Sequence, residues 1–289
     1  MISKNQAIEI LNVGLATGAD YAEIFIEDKT SHSILVENGK VDTSAIGRTY
    51  GAGVRLLKKF QSVYGYTNEV NSKSLTKLIS SLSKSFKGER VLTVTDLKNK
   101  KIKDRSKPEI SYETITDKEM VDYLKSGEEV MRNYDKRIVR SRANIAHDKT
   151  KIVLINSKGF IFKDEKERGR VALLCVASED GKIETGFEGP GASAGFEYFK
   201  KNIDIKALAE KTARKTILML GAKECPSGKM PVIIGNAFGG VLFHEACGHP
   251  LEASAVSKNL SVFSNMIGKQ IASPIVSAID DGTIKNGWG

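Results

Sequence analysis

"HSILVENGKVDTSAI", residues 32–46, reads as a hairpin with Asn38-Gly39 at its turn. Asn-Gly between two alternating runs is the strongest short-range signal for a two-residue β-hairpin, because both residues tolerate the positive φ of a type I′ turn. Working outward, "YAEIFIED" (21–28) alternates, and "RTYGAGVRLLKK" (48–59) and "QSVYGYT" (61–67) continue the meander. Gly51 and Gly53 form a GxG, but no helix start follows it. This speaks against a nucleotide loop and for a bulge or a close approach to the backbone. Before the strands, Ile2, Ala7, Ile8, Leu11 and Leu15 recur at helical spacing. After them, "NSKSLTKLISSLSKSF" (71–86) carries Leu75, Leu78, Ile79 and Leu82 as an apolar stripe, capped by Asn71 or Ser72. Residues 1–95 therefore read as helix, antiparallel strands, helix: a small α+β unit.

The same order returns after a basic linker (96–112) whose densest part is "LKNKKIKDRSK" (97–107). A helix over 117–133 opens at Thr116 or Asp117 and turns Met120, Leu124 and Val130 inward. Strands follow at 137–148, 151–157, 160–180 and 182–189, with Lys158-Gly159 and Asp180-Gly181 as turn tips. His147 then falls at a strand end beside a turn, which predicts a surface histidine. A helix over 204–224, buried through Leu208, Ala209, Thr212, Thr216 and Leu220, closes a central α+β unit at 113–225. Pro226, Ser227 and Gly228 break the pattern. Residues 229–289 begin a third segment, with "KMPVIIG" (229–235) as a short buried strand and a helix from about Ala237. The fold class is α+β: antiparallel sheets flanked by helices in two units, then the incomplete start of a metal-binding domain.

Composition excludes several classes of function. No apolar run approaches the roughly 20 residues of a membrane span, and the N-terminus lacks a secretory signal, so a cytoplasmic protein is expected. Cys175, Cys225 and Cys247 are widely spaced and odd in number, which fits neither a disulfide framework nor a zinc knuckle. Cys175, within "VALLCVAS", reads as a buried packing thiol. The net charge of +9 is diffuse, and its densest stretch lacks the aromatic residues that single-strand binders use, so nucleic acid is not the expected partner.

"GVLFHEACGHPLEA" (240–253) holds two of the chain's four histidines, five positions apart, with Glu245 after the first and Glu252 after the second. On a regular α-helix two rings at that spacing point roughly 140° apart and do not converge. A single π-type turn would bring them together, and Gly248 and Pro250 both make such a distortion cheap. Two readings stand at this point: a metal pair, or two satisfied polar groups at a helix end. Cys247, three residues after His244, offers a competing geometry.

"HEACGHPLEA" resembles the HExxxH motif of the TldD/PmbA family. "SVFSNMIGKQIASPIVSAIDDGT" (261–283) resembles that family's Ser-Val-Phe segment and Asp-Asp-Gly-Thr turn, and "GAGVRLL" its N-terminal domain. The resemblance covers nearly the whole chain and is closest to the TldD-type subunit. It implies a zinc-dependent metallopeptidase with His244 and His249 as Zn2+ ligands and Glu245 as the general base. Glu252 would orient a ligand histidine. It further implies a cytoplasmic heterodimer with a TldE/PmbA-like subunit that hydrolyses unfolded or leader peptides bound in extended form. No residue is singled out for substrate binding. The family's third zinc ligand is a cysteine near the end of a longer chain, and nothing here matches it. This sequence is therefore expected to be C-terminally truncated, to bind zinc weakly and to be inactive alone. The competing reading is a non-enzymatic interaction protein or a regulator of a DNA-topology enzyme.

Overall fold

Asn38 and Gly39 both take positive φ, 47° and 81°, as the hairpin requires. The turn joins strands longer than the alternation alone indicates. After helix α1 (Lys4–Gly14), closed at its start by a Ser3/Gln6 capping box, β1 runs Tyr21–Glu37 and β2 runs Lys40–Lys58. The breaks expected near residues 29–31 and 47 do not occur. Their register is continuous from Tyr21↔Leu57 to Glu37↔Lys40, with one shift between Leu35 and Val36. Polar Lys29, Thr30 and Ser31 weaken the hydrophobic pattern but still offer every ladder donor and acceptor. β3 (Gln61–Thr67) and α2 (Ser72–Ser83) complete this part, with the Asn71 side chain accepting from Ser74 N–H as the cap. Gly53 marks a close approach: a Cβ there would lie 2.5 Å from the Tyr64 hydroxyl.

The computed structural model describes residues 2–103, 106–236 and 239–288. The basic linker is not wholly solvated. Lys98–Lys100 forms β4, parallel to Phe160–Phe162, and the Lys100 ammonium sits 5.0 Å from the Phe160 ring centre. Then come α3 (Asp117–Tyr134), with a Thr116/Glu119 capping box, β5 (Ile138–Asn156), β6 (Phe160–Glu179), β7 (Lys182–Glu188), β8 (Gly191–Ala192), α4 (Glu197–Asn202) and α5 (Ile205–Leu220). The strands expected at 137–148 and 151–157 are one strand, β5.

β1 and β5 pair along Glu23↔Asn156 to Glu37↔Arg142, so both sequence units contribute to one eight-stranded sheet in the order β3-β2-β1-β5-β6-β4, with β7 and β8 also on β6. A 17-residue strand rising about 3.3 Å per residue reaches across two hydrophobic cores. Ala22, Ile24 and Ile26 pack with α1 and α2; Ile34 and Val36, on the same face, pack with α3 and α5. Cys175 lies in the second core, and burial pushes its thiol up, as expected of an inert packing residue.

His147 corrects the sequence reading. It sits inside β5, opposite His32 of β1, and its ring stacks on Tyr112 at 4.3 Å. Burial pushes it down to about 4, and neighbouring His32 adds to the shift while Asp148 and Asp117 oppose it. The folded state therefore resists a proton that the unfolded state accepts near the model-peptide value of about 6.5. Stability from this site is fully present above that value and is lost as pH falls toward 4. The loss is at most about 3 kcal/mol, reduced by solvent screening of a half-buried ring. Replacing His147 by Phe keeps the stack and is expected to flatten the fall in melting temperature between pH 7 and 5; an unchanged slope would exclude His147 as its source.

The chain divides into two compact units: Met1–Ala222 with Thr283–Gly289, and Lys223–Gly282. In the second, the strand expected at 229–235 is absent. Val232, Ile233 and Ile234 are exposed, and among the described residues no strand pairs with them, so there is nothing to bury them against. The expected helix start at Ala237 lies outside the described residues; the helix α6 is described over Gly239–Phe243.

Candidate metal centre

His244 to Gly248 form a π-type turn continuing α6. The backbone N–H of His249 donates to the His244 carbonyl, five residues back, in place of the usual four. This rotates the second histidine onto the first: their ring centres lie 4.4 Å apart at 66°. The turn that the five-residue spacing called for is thus formed, and the 3-10 turn His249–Leu251 with Pro250 ends it before α7 (Ala253–Val256). The Ser261 hydroxyl donates to the Pro250 carbonyl and accepts from Phe263 N–H, so the Ser-Val-Phe segment ties back to this turn.

Ligand atoms of His244, Glu245 and His249 all lie within 4.8 Å of one another, and all three residues are exposed. His249 Nδ1 is 2.6 Å from Glu252 Oε1, and its Nε2 is 3.9 Å from Glu245 Oε2. A proton on Nδ1 directed at Glu252 leaves the Nε2 lone pair facing the other two donors. The hydrogen bond to Glu252 also raises His249 above its ordinary value. Two imidazoles and a carboxylate are a donor set suited to a divalent cation. Cys247 is half-buried and is not in this set; Cys225 is exposed.

Gly248 keeps the turn open to the ring. A Cβ there would stand 3.0 Å from His244 Nδ1. Gly248→Val is expected to displace the His244 ring and lower divalent-metal affinity by about tenfold or more, the size of effect typical when ligand support is disturbed. Calorimetric titration with zinc checks this; unchanged affinity would show that the ring position does not matter.

Three family models match in order along the chain: PmbA/TldA metallopeptidase domain 1 over residues 22–85, the central domain over 110–220 and the C-terminal domain over 227–289. The chain belongs to the PmbA/TldD family. A metalloprotease TldD homolog of Buchnera aphidicola is 27% identical over 276 residues, covering 93% of this chain and 57% of that relative. The first TldD relatives are spanned over 57% to 61% of their length. The fold is shared with a candidate modulator of a DNA gyrase from Thermotoga maritima (TM-score 0.69, 20% identity, 86% of this chain and 56% of that one). TldE from Thermococcus kodakarensis has a TM-score of 0.52 at 16% identity, over 73% of this chain and 47% of its own. At these identities the two structures speak for the fold alone. Among the described residues, no helix of this PmbA/TldD chain is long and apolar enough to cross a membrane.

The structure brings His244, Glu245 and His249 together and sets Glu252 against the His249 ring. Sequence reasoning missed the His32–His147–Tyr112 cluster and a cavity bounded by Arg170 and Trp288. Neither had a local signal, because both depend on strand register.

Proposed function

We propose that this chain is the TldD-type subunit of a zinc-dependent metallopeptidase, working in the cytoplasm with a TldE/PmbA-like partner on unfolded or leader peptides. The observation that carries the reading is the π-turn that converges His244 and His249 beside Glu245. When bound, zinc supplies Lewis-acid polarisation of the scissile carbonyl. His244 and His249 would hold it, with Glu252 fixing the ring of His249 through Nδ1. Glu245 accepts a proton from the attacking water and returns it to the leaving amine. An extended substrate paired through its main chain would tolerate many sequences. Two imidazoles alone are expected to hold zinc weakly.

Incubating the protein together with a TldE/PmbA-like partner and an unfolded polypeptide tests the reading. Cleavage should stop with a chelator and return with zinc. Chelator-insensitive cleavage, or none at all, would reject it.

A further inference from the structure

The sheet face opposite the helices carries a cavity of its own. Along β1, Ile34 and Val36 enter the second core, so Ser31 and Ser33 point the other way. Their cross-strand partners Gly47 and Ala45 on β2, and Asp148 and Ala146 on β5, share that face. These small side chains leave a trough of about 480 Å³ bounded by Arg170 and Trp288. Trp288 belongs to the Thr283–Gly289 segment of the same unit, held where the Asn286 carbonyl accepts from Ser193 N–H at 3.1 Å.

Two guanidinium groups stand here: Arg170 lines the cavity, and Arg168, outside the lining, sits beside Trp288. Arg168 lies over the Trp288 ring, 5.8 Å from its centre. Among the described residues, neither Arg168 nor Arg170 has a carboxylate partner. Arg170 gives its Nε–H to the Gly189 carbonyl at 3.0 Å, and the Arg168 Nε is buried with no acceptor. The one acidic group in the lining, Asp148, is already engaged by Lys29 at 3.4 Å and by the Thr150 hydroxyl at 2.9 Å. A buried donor without an acceptor is costly, and guanidinium groups match carboxylates in planar, charge-assisted pairs.

We propose that this cavity binds the C-terminal end of an extended peptide, its carboxylate on Arg170 with the Arg168 charge beside it, and its terminal apolar side chain against Trp288. That the ligand is a peptide rests on the peptidase reading; the site uses none of the candidate metal residues. A carboxylate beside apolar surface could also come from an acidic side chain, so the test separates the two.

Trp288 is the only tryptophan of the chain, so its emission reports on this cavity alone. The 289-residue protein is titrated with N-acetyl-Ala-Ala-Ala-Leu as the free acid, as the amide, and as an amide with Glu in place of the third Ala. The free acid should shift the emission and bind roughly tenfold or more tighter than either amide. Arg170→Gln and Arg168→Gln, each checked for an unchanged melting temperature, should remove most of that preference, and a chelator should leave it intact. Equal binding of acid and amide, equal binding of the Glu-containing amide, or a preference that survives both substitutions would overturn the proposal. Binding as expected by a protein that, with its partner, cleaves nothing would sink the peptidase reading and leave this site standing.

Discussion

Glu245→Gln is expected, on the proposed metallopeptidase reading, to lower peptide hydrolysis by about 10³-fold or more while metal content stays unchanged. Gln keeps the volume and the helix-compatible side chain of Glu, so the π-turn and the two imidazoles remain. It removes only the basic oxygen. Glu245 Oε2 stands 3.9 Å from His249 Nε2 and belongs to the group of donors within 4.8 Å. That closeness permits two roles, ligand or base, and the measurement separates them. Metal analysis beside turnover decides: lost turnover with full metal assigns the base, lost metal makes Glu245 a ligand, and retained turnover removes it from the mechanism.

The second large effect concerns the scaffold. Gly186→Ala is expected to destabilise the sheet unit by about 2–3 kcal/mol, lowering the melting temperature by roughly 5–10 °C. Gly186 pairs with Cys175 on β6, under α5. A Cβ there would lie 2.1 Å from Thr216 Oγ1 and 2.8 Å from the Thr212 carbonyl. The Thr216 hydroxyl already donates to that carbonyl at 2.9 Å, so both atoms are held. A backbone oxygen cannot turn aside. The helix must lift, and Ala209 and Ala213 then lose their packing in the second core. Gly221→Ala, whose Cβ would meet nothing closer than 3.8 Å, serves as the control. Equal melting temperatures for the two variants would show that α5 is not seated as tightly as these distances require.

Much of this molecule was legible locally. The Asn38-Gly39 turn, the Asn71 and Thr116 caps and the π-turn at His244–Gly248 each follow from a few adjacent residues, because their hydrogen bonds close within five positions. The candidate metal centre belongs to this class: its donor residues share one turn, although spacing left both a metal pair and two satisfied polar groups open.

Strand length, burial and the second cavity did not follow in this way. Lys29–Ser31 looked like an interruption because local patterning registers polarity, whereas a ladder needs only backbone groups and a neighbouring strand. His147 looked like a surface residue until the β1–β5 register set it opposite His32 and under Tyr112. "KMPVIIG" looked like a buried strand, yet an apolar run becomes buried only against a surface, and here Ile233 is fully exposed. Sequence by itself pointed to the Asn38-Gly39 turn, narrowed the caps of two helices to adjacent residues, and called for the π-type turn that brings His244 and His249 together. Tertiary structure alone decided that two similar units share one sheet, and that Arg168, Arg170 and Trp288 meet on its open face, because those contacts join residues far apart in the chain.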